Sequence, residues 1–95
     1  PAFAPDEVYV YDSSSMALTT AAGKEFRKDD LVVSPNDGSV ECRWLVIDPA
    51  TEQATVISQT KDLVYTFPTA GAYTLRFEAT RGGRTVSKSY ALTVN

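Results

Sequence analysis

Leu63-Val64-Tyr65-Thr66-Phe67-Pro68-Thr69-Ala70-Gly71-Ala72-Tyr73-Thr74-Leu75-Arg76-Phe77-Glu78-Ala79 is the stretch that decides the fold. Before the proline, Leu63, Tyr65 and Phe67 alternate with Val64 and Thr66. After the glycine, Tyr73, Leu75, Phe77 and Ala79 alternate with Thr74, Arg76 and Glu78. A period of two belongs to a half-buried strand, with its apolar face on a core and its polar face in water. Residues 68–70 turn the chain, and Gly71 stands where a positive φ is expected, a conformation that side chains resist. The stretch therefore reads as two strands joined at a corner.

The same alternation extends in both directions. Gly82-Gly83 is a two-residue hairpin signal, and residues 84–94 form a last strand with Val86, Tyr90, Leu92 and Val94 inward. Lys88 falls on the inward parity, so an edge position or a snorkelling stem is expected. Upstream, residues 54–58 make a short β-branched strand. Residues 40–47 make a longer one, with Cys42, Trp44 and Val46 on one face and Arg43, Leu45 and Ile47 on the other. Pro35-Asn36-Asp37-Gly38 is a turn. Residues 25–33 are irregular, because Phe26 has one parity and Leu31 and Val33 the other. Either a bulge across Arg27-Lys28-Asp29-Asp30 shifts the register, or the strand is two short pieces. Residues 7–11 form a first strand, Val8 and Val10 on one face, Tyr9 and Tyr11 on the other. Asp12-Ser13-Ser14-Ser15 is turn chemistry. Residues 16–20 read as a further short strand, with a single helical turn over residues 14–18 as the alternative. Two prolines make residues 1–6 an extended leader.

Seven or eight strands at this spacing, without a helix, predict an all-β, two-sheet antiparallel Greek-key sandwich. Ninety-five residues fit one such domain over residues 7–95. An apolar share of 43% and a charged share of 22% are ordinary for a folded domain and argue against disorder. The net charge of -3 is spread along the chain, so no basic footprint for nucleic acid or anionic lipid exists. No apolar run approaches the roughly 20 residues of a membrane span, and Pro1-Ala2-Phe3-Ala4-Pro5 has no signal-peptide pattern. The single cysteine, Cys42, excludes an internal disulfide. It is compatible with a reducing compartment and equally with a secreted bacterial sandwich held by its core alone.

The chain resembles the PKD domain, an immunoglobulin-like module of bacterial surface proteins and secreted enzymes. Two places carry the resemblance. Trp44 stands where that family has the tryptophan of its Trp-Asp-Phe-Gly-Asp-Gly motif, and residues 65–75 follow its Tyr-x-Phe-x-x-x-Gly-x-Tyr-x-Val pattern. After Trp44 this chain reads Leu45-Val46-Ile47-Asp48, so the acidic residue and the glycine turn are lost. That departure is similar to divergent PKD-like domains of Bacteroidetes surface lipoproteins. The resemblance implies an extracellular or cell-surface module, set among neighbouring domains of a longer chain and near glycan-handling or adhesion functions.

Within this reading, Trp44, Tyr65, Phe67, Gly71, Tyr73, Leu75 and Phe77 are structural core residues. Tyr73 corresponds to the corner tyrosine of sandwiches, whose hydroxyl reaches a backbone group across the turn. Cys42 is read as a small buried apolar residue. The chain has no histidine, which removes Ser-His-Asp and Cys-His nucleophile arrangements and leaves no imidazole for zinc. Asp29, Asp30 and Asp37 match no calcium-loop spacing. The expectation is a non-catalytic spacer or interaction domain, without cofactor or metal. The alternative is a module that binds carbohydrate or a surface protein through Tyr9 and Tyr11, or through Leu45, Ile47 and Arg76.

Overall fold

Backbone alternation is realised as nine strands in a computed structural model, which describes residues 7–95. The leader expected over residues 1–6 lies outside the described residues. The strands are β1 (Tyr9–Tyr11), β2 (Ala17–Thr20), β3 (Glu25–Lys28), β4 (Val32–Ser34), β5 (Glu41–Ile47), β6 (Ala54–Ser58), β7 (Leu63–Thr66), β8 (Gly71–Arg81) and β9 (Arg84–Val94). No helix occurs among the described residues. The run expected over residues 16–20 thus forms a strand, from Ala17 to Thr20, and not a helical turn. The irregular run after Glu25 is two pieces, β3 and β4, which join different ladders.

One layer is a five-stranded sheet in the order β2-β9-β8-β5-β6. Two two-stranded ladders, β1-β4 and β3-β7, bury their inner faces in the same core as that sheet, giving a sandwich-like arrangement. Trp44, Leu75, Phe77, Tyr90 and Leu92 come from the sheet, and Val8, Phe26, Leu63 and Phe67 from the ladders and their ends. Trp44 packs on Phe77 and Tyr90 with ring centroids 5.0 and 5.7 Å apart.

The expectation of a wholly antiparallel sandwich needs one correction. β2 pairs with β9 in parallel, Ala17 opposite Ala91 through Thr20 opposite Val94. The chain leaves β1, crosses from a ladder to the large sheet without reversing direction, and so arrives beside β9 running the same way. β9 has a neighbour on that side only over residues 91–94, which leaves Lys88 on an open edge and half-buried. At β6, register slips so that Trp44 faces Ser58 while Leu45 faces Val56. The extra residue, Ile57, is left unpaired in the ladder, the usual consequence of a bulge, and packs against the core.

The β8-β9 hairpin is the backbone of the molecule. Its eleven-residue strands pair along their whole length, from Gly71 opposite Val94 to Arg81 opposite Arg84. Eleven residues at about 3.3 Å each span roughly 36 Å, consistent with a longest extent of 42 Å. Gly82 and Gly83 close the hairpin with φ of 58° and 78°, the pair of positive values that a tight hairpin turn requires. Gly83→Ala is expected to cost about 1–2 kcal/mol, the penalty for a Cβ in that region. Urea unfolding reads this as a lower midpoint with an unchanged slope; an unchanged midpoint contradicts it.

Candidate functional site

The outer face of the five-stranded sheet brings together Leu45, Ile47 and Arg76, the first of the two surfaces singled out from sequence. Register places Leu45 opposite Arg76, Ile47 opposite Thr74 and Arg43 opposite Glu78. Glu78 bridges two arginines, with Arg43 Nε 2.6 Å from Oε1 and Arg76 Nε 3.0 Å from Oε2. The second contact is an ion pair without hydrogen-bond alignment. An outward apolar patch of Leu45 and Ile47 is therefore a correction to make. Leu45 is only 4% exposed although it stands outside the main core. Its cross-strand neighbours are Arg76 and Val56, at the ~4.5–5.5 Å separation where side chains meet. A long arginine stem covers a leucine there. Ile47 and Arg76 are half-buried.

The second surface is different. β1 is narrow, and its two faces are now assigned: Val8 and Val10 pack inward, while Tyr9 and Tyr11 are 39% and 49% exposed. Their rings are nearly parallel, at 15°, with centroids 6.5 Å apart. Tyr9 lies opposite Ser34 and Tyr11 opposite Val32, itself exposed. Beside β4 opens a groove of 1160 Å³, bounded by Val32, Val33, Pro35, Cys42, Gln59 and Lys61 among others. Cys42 is half-buried there, and burial pushes its thiol up, away from a reactive thiolate.

Immediately after Tyr11, the chain enters a buried polar cluster that sequence reasoning missed. The side chain of Asp12 is fully buried, and Lys28 is 5% exposed. Lys28 Nζ lies 2.9 Å from Asp12 Oδ2 and donates to Ser14 Oγ at 2.6 Å and Asp30 Oδ1 at 2.5 Å. The Tyr90 hydroxyl donates to Asp12 Oδ2 at 2.5 Å, and Ser14 donates to Oδ1 through both N and Oγ. Lys28 also sits 5.4 Å from the Tyr90 ring centre, within cation–π range. Burial works against the Asp12 carboxylate, but hydrogen bonds from Tyr90, Lys28 and Ser14 together outweigh it and hold it well below the usual range. Burial likewise opposes the Lys28 ammonium, and its bonds to Asp30 and Asp12 overcome that and raise it. Burial, then the bond to Asp12, push the Tyr90 hydroxyl up. One signal for the cluster was available. Lys28 shares the parity of Phe26, and an inward lysine demands a buried carboxylate.

Two of the acids weighed as calcium ligands are engaged structurally. Asp30 holds Lys28, and Asp37 accepts from Ser39 N and Oγ, which lowers its carboxyl. Among the described residues no group of three or more metal-ligating side chains converges. Trp44 is 0% exposed, and its Nε1 donates to Lys61 O at 2.9 Å. Phe67, Leu75 and Phe77 are buried and Tyr65 and Tyr73 are half-buried against them, whereas Gly71, counted with the core from sequence, is exposed with φ 156°: it serves the turn and not the packing. The Tyr73 hydroxyl donates to Thr69 O at 3.0 Å across the turn, the corner contact read from the sequence.

No family model matches the chain, and no curated protein matches it. Among solved structures it is similar to a quinonprotein alcohol dehydrogenase-like protein from Bacteroides thetaiotaomicron, with 13% identity and a TM-score of 0.64. The likeness covers 90% of this chain and 18% of that one. At that identity it is a likeness of fold, and this chain spans under a fifth of that protein's length.

Proposed function

We propose that the chain is a non-catalytic, load-bearing spacer, an immunoglobulin-like module of the PKD-like type within a longer bacterial surface or secreted protein. The observation that carries this reading is the placement of its first and last strands. β1 leads through Asp12, tied to Tyr90, into β2, which ends opposite Val94 and lies parallel to β9. Asn95 closes this end by bonding Ala22 and Thr20. β1 points back from there toward the Gly82-Gly83 end, where Ser39 bonds Arg81. The described chain thus enters toward one pole and leaves at the other. Tension between the ends acts along β2 and β9 and loads their hydrogen bonds together, whereas perpendicular tension would break them one at a time.

The embedding of a similar fold in a much longer Bacteroides protein agrees with a module in series. Absence of histidine, and a half-buried Cys42 whose thiol is pushed up and away from a thiolate, agree with a non-catalytic role. Force spectroscopy tests the reading. Pulled through handles at residues 7 and 95, the domain is expected to resist as a shear clamp. Pulled through residues 69 and 95, which flank the same end of the β8-β9 ladder, it should unzip at several-fold lower force. Equal forces in the two geometries would sink the spacer mechanism.

A further inference from the structure

We infer that Tyr9, Tyr11 and the adjoining groove form a binding site for an uncharged polysaccharide chain. Four residues face outward on the β1-β4 ladder: Tyr9, Tyr11, Val32 and Ser34. None is charged, and Tyr9, Tyr11 and Val32 are exposed. Two near-parallel rings with centroids 6.5 Å apart stand on one strand, both exposed. The C–H face of a pyranose ring is itself flat and apolar, so sugar rings can stack on the exposed faces of these two tyrosines. A protein partner would call for a larger buried core than two rings and a valine provide. A nucleic acid would call for a cationic track; this ladder face has none, and the two cations of the groove, Arg43 and Lys61, are paired with Glu78 and Asp62.

Val32 joins the platform to the groove, which it also lines. Asn36, Gln59 and Thr60 stand along that groove, and amide and hydroxyl side chains both donate and accept, as sugar hydroxyls require. At 1160 Å³ the groove is somewhat larger than the roughly 300–1,000 Å³ of small-molecule pockets, room for more than a single sugar ring. The platform is also held in advance of binding. Val8 and Val10 anchor its underside in the core, and the Asp12-Lys28-Tyr90 cluster pins the chain directly after Tyr11. Little ordering is then left for the ligand to impose.

The test is native affinity electrophoresis of the 95-residue chain in gels containing soluble neutral β-glucan, mannan or xylan, beside an anionic polygalacturonate. Retardation by at least one neutral polymer is expected. Tyr9→Ala/Tyr11→Ala should reduce the apparent affinity at least tenfold, while Tyr9→Phe/Tyr11→Phe, which keeps both ring faces, should retain most of it. Amide NMR shifts on adding the bound polymer should concentrate in β1 and β4, a readout independent of any variant's folding. No retardation by any neutral polymer, equal retardation of the alanine variant, binding of the anionic polymer alone, or shifts confined to the β5-β8 outer face would each overturn the assignment. So would a dimer, seen by sedimentation, that the alanine pair abolishes.

Discussion

Trp44→Ala is expected to destabilise the domain by about 3–5 kcal/mol, the range for removing a large buried aromatic. Trp44 is fully buried on the central strand β5, against Phe77 and Tyr90. Its ring lies in the core cluster shared by the sheet and the ladders. Its Nε1–H satisfies Lys61 O, so truncation also leaves a carbonyl of the β6-β7 connection without that donor, a further cost of about 1–3 kcal/mol where no water replaces it. The loss matters because a domain of this size has about 5–15 kcal/mol in all. Urea and thermal unfolding should show a largely unfolded chain near body temperature. Near-native melting of this variant would mean that β5 does not face the core as described.

Breaking the Asp12-Lys28 pair is expected to cost a similar amount. Lys28→Met leaves a carboxylate buried without its counter-charge, and Asp12→Leu leaves the ammonium so placed; each single change should cost about 3–5 kcal/mol. The double variant should lose less than either single one, because a buried pair replaced by apolar side chains of similar volume is often close to neutral. Unfolding of all four proteins in urea checks this. Additive losses would show that the two groups act separately.

The same cluster sets the pH profile. Asp12 is held below its ordinary value, so its contribution is fully present above about pH 4, the unfolded carboxylate pKa, and is lost as pH falls further. Lys28 and Tyr90 are both raised. Their contributions are present below about pH 10 and lost as pH climbs through the folded values. With no histidine in the chain, melting temperature should stay flat between about pH 5 and 9 and fall on both sides.

Much of the architecture was legible because a period of two reports which face a side chain occupies. Tyr73, Leu75, Phe77 and Ala79 follow their written alternation along β8, and the Tyr73 corner formed where the spacing placed it. Gly82-Gly83 closed its hairpin because only glycine accepts two positive φ values without strain. Legibility stopped where the face was ambiguous. Nothing in Val8-Tyr9-Val10-Tyr11 says which pair is inward, since valine and tyrosine both suit a strand. Leu45 looked exposed from parity alone, because parity does not tell what a neighbouring strand lays across it.

Taken alone, the sequence determined an all-β chain, the facing of its long strands and the burial of Trp44. Those follow from local alternation and turn chemistry, which need no partner. Only the tertiary structure decided that β2 runs parallel to β9, that β3 and β4 join separate ladders, and that Asp12 meets Tyr90 from 78 positions away. Backbone hydrogen bonds are the same for every residue, so the choice of neighbouring strand is written nowhere along the chain. It is made when whole faces pack, and a buried charge such as Lys28 finds its partner only then.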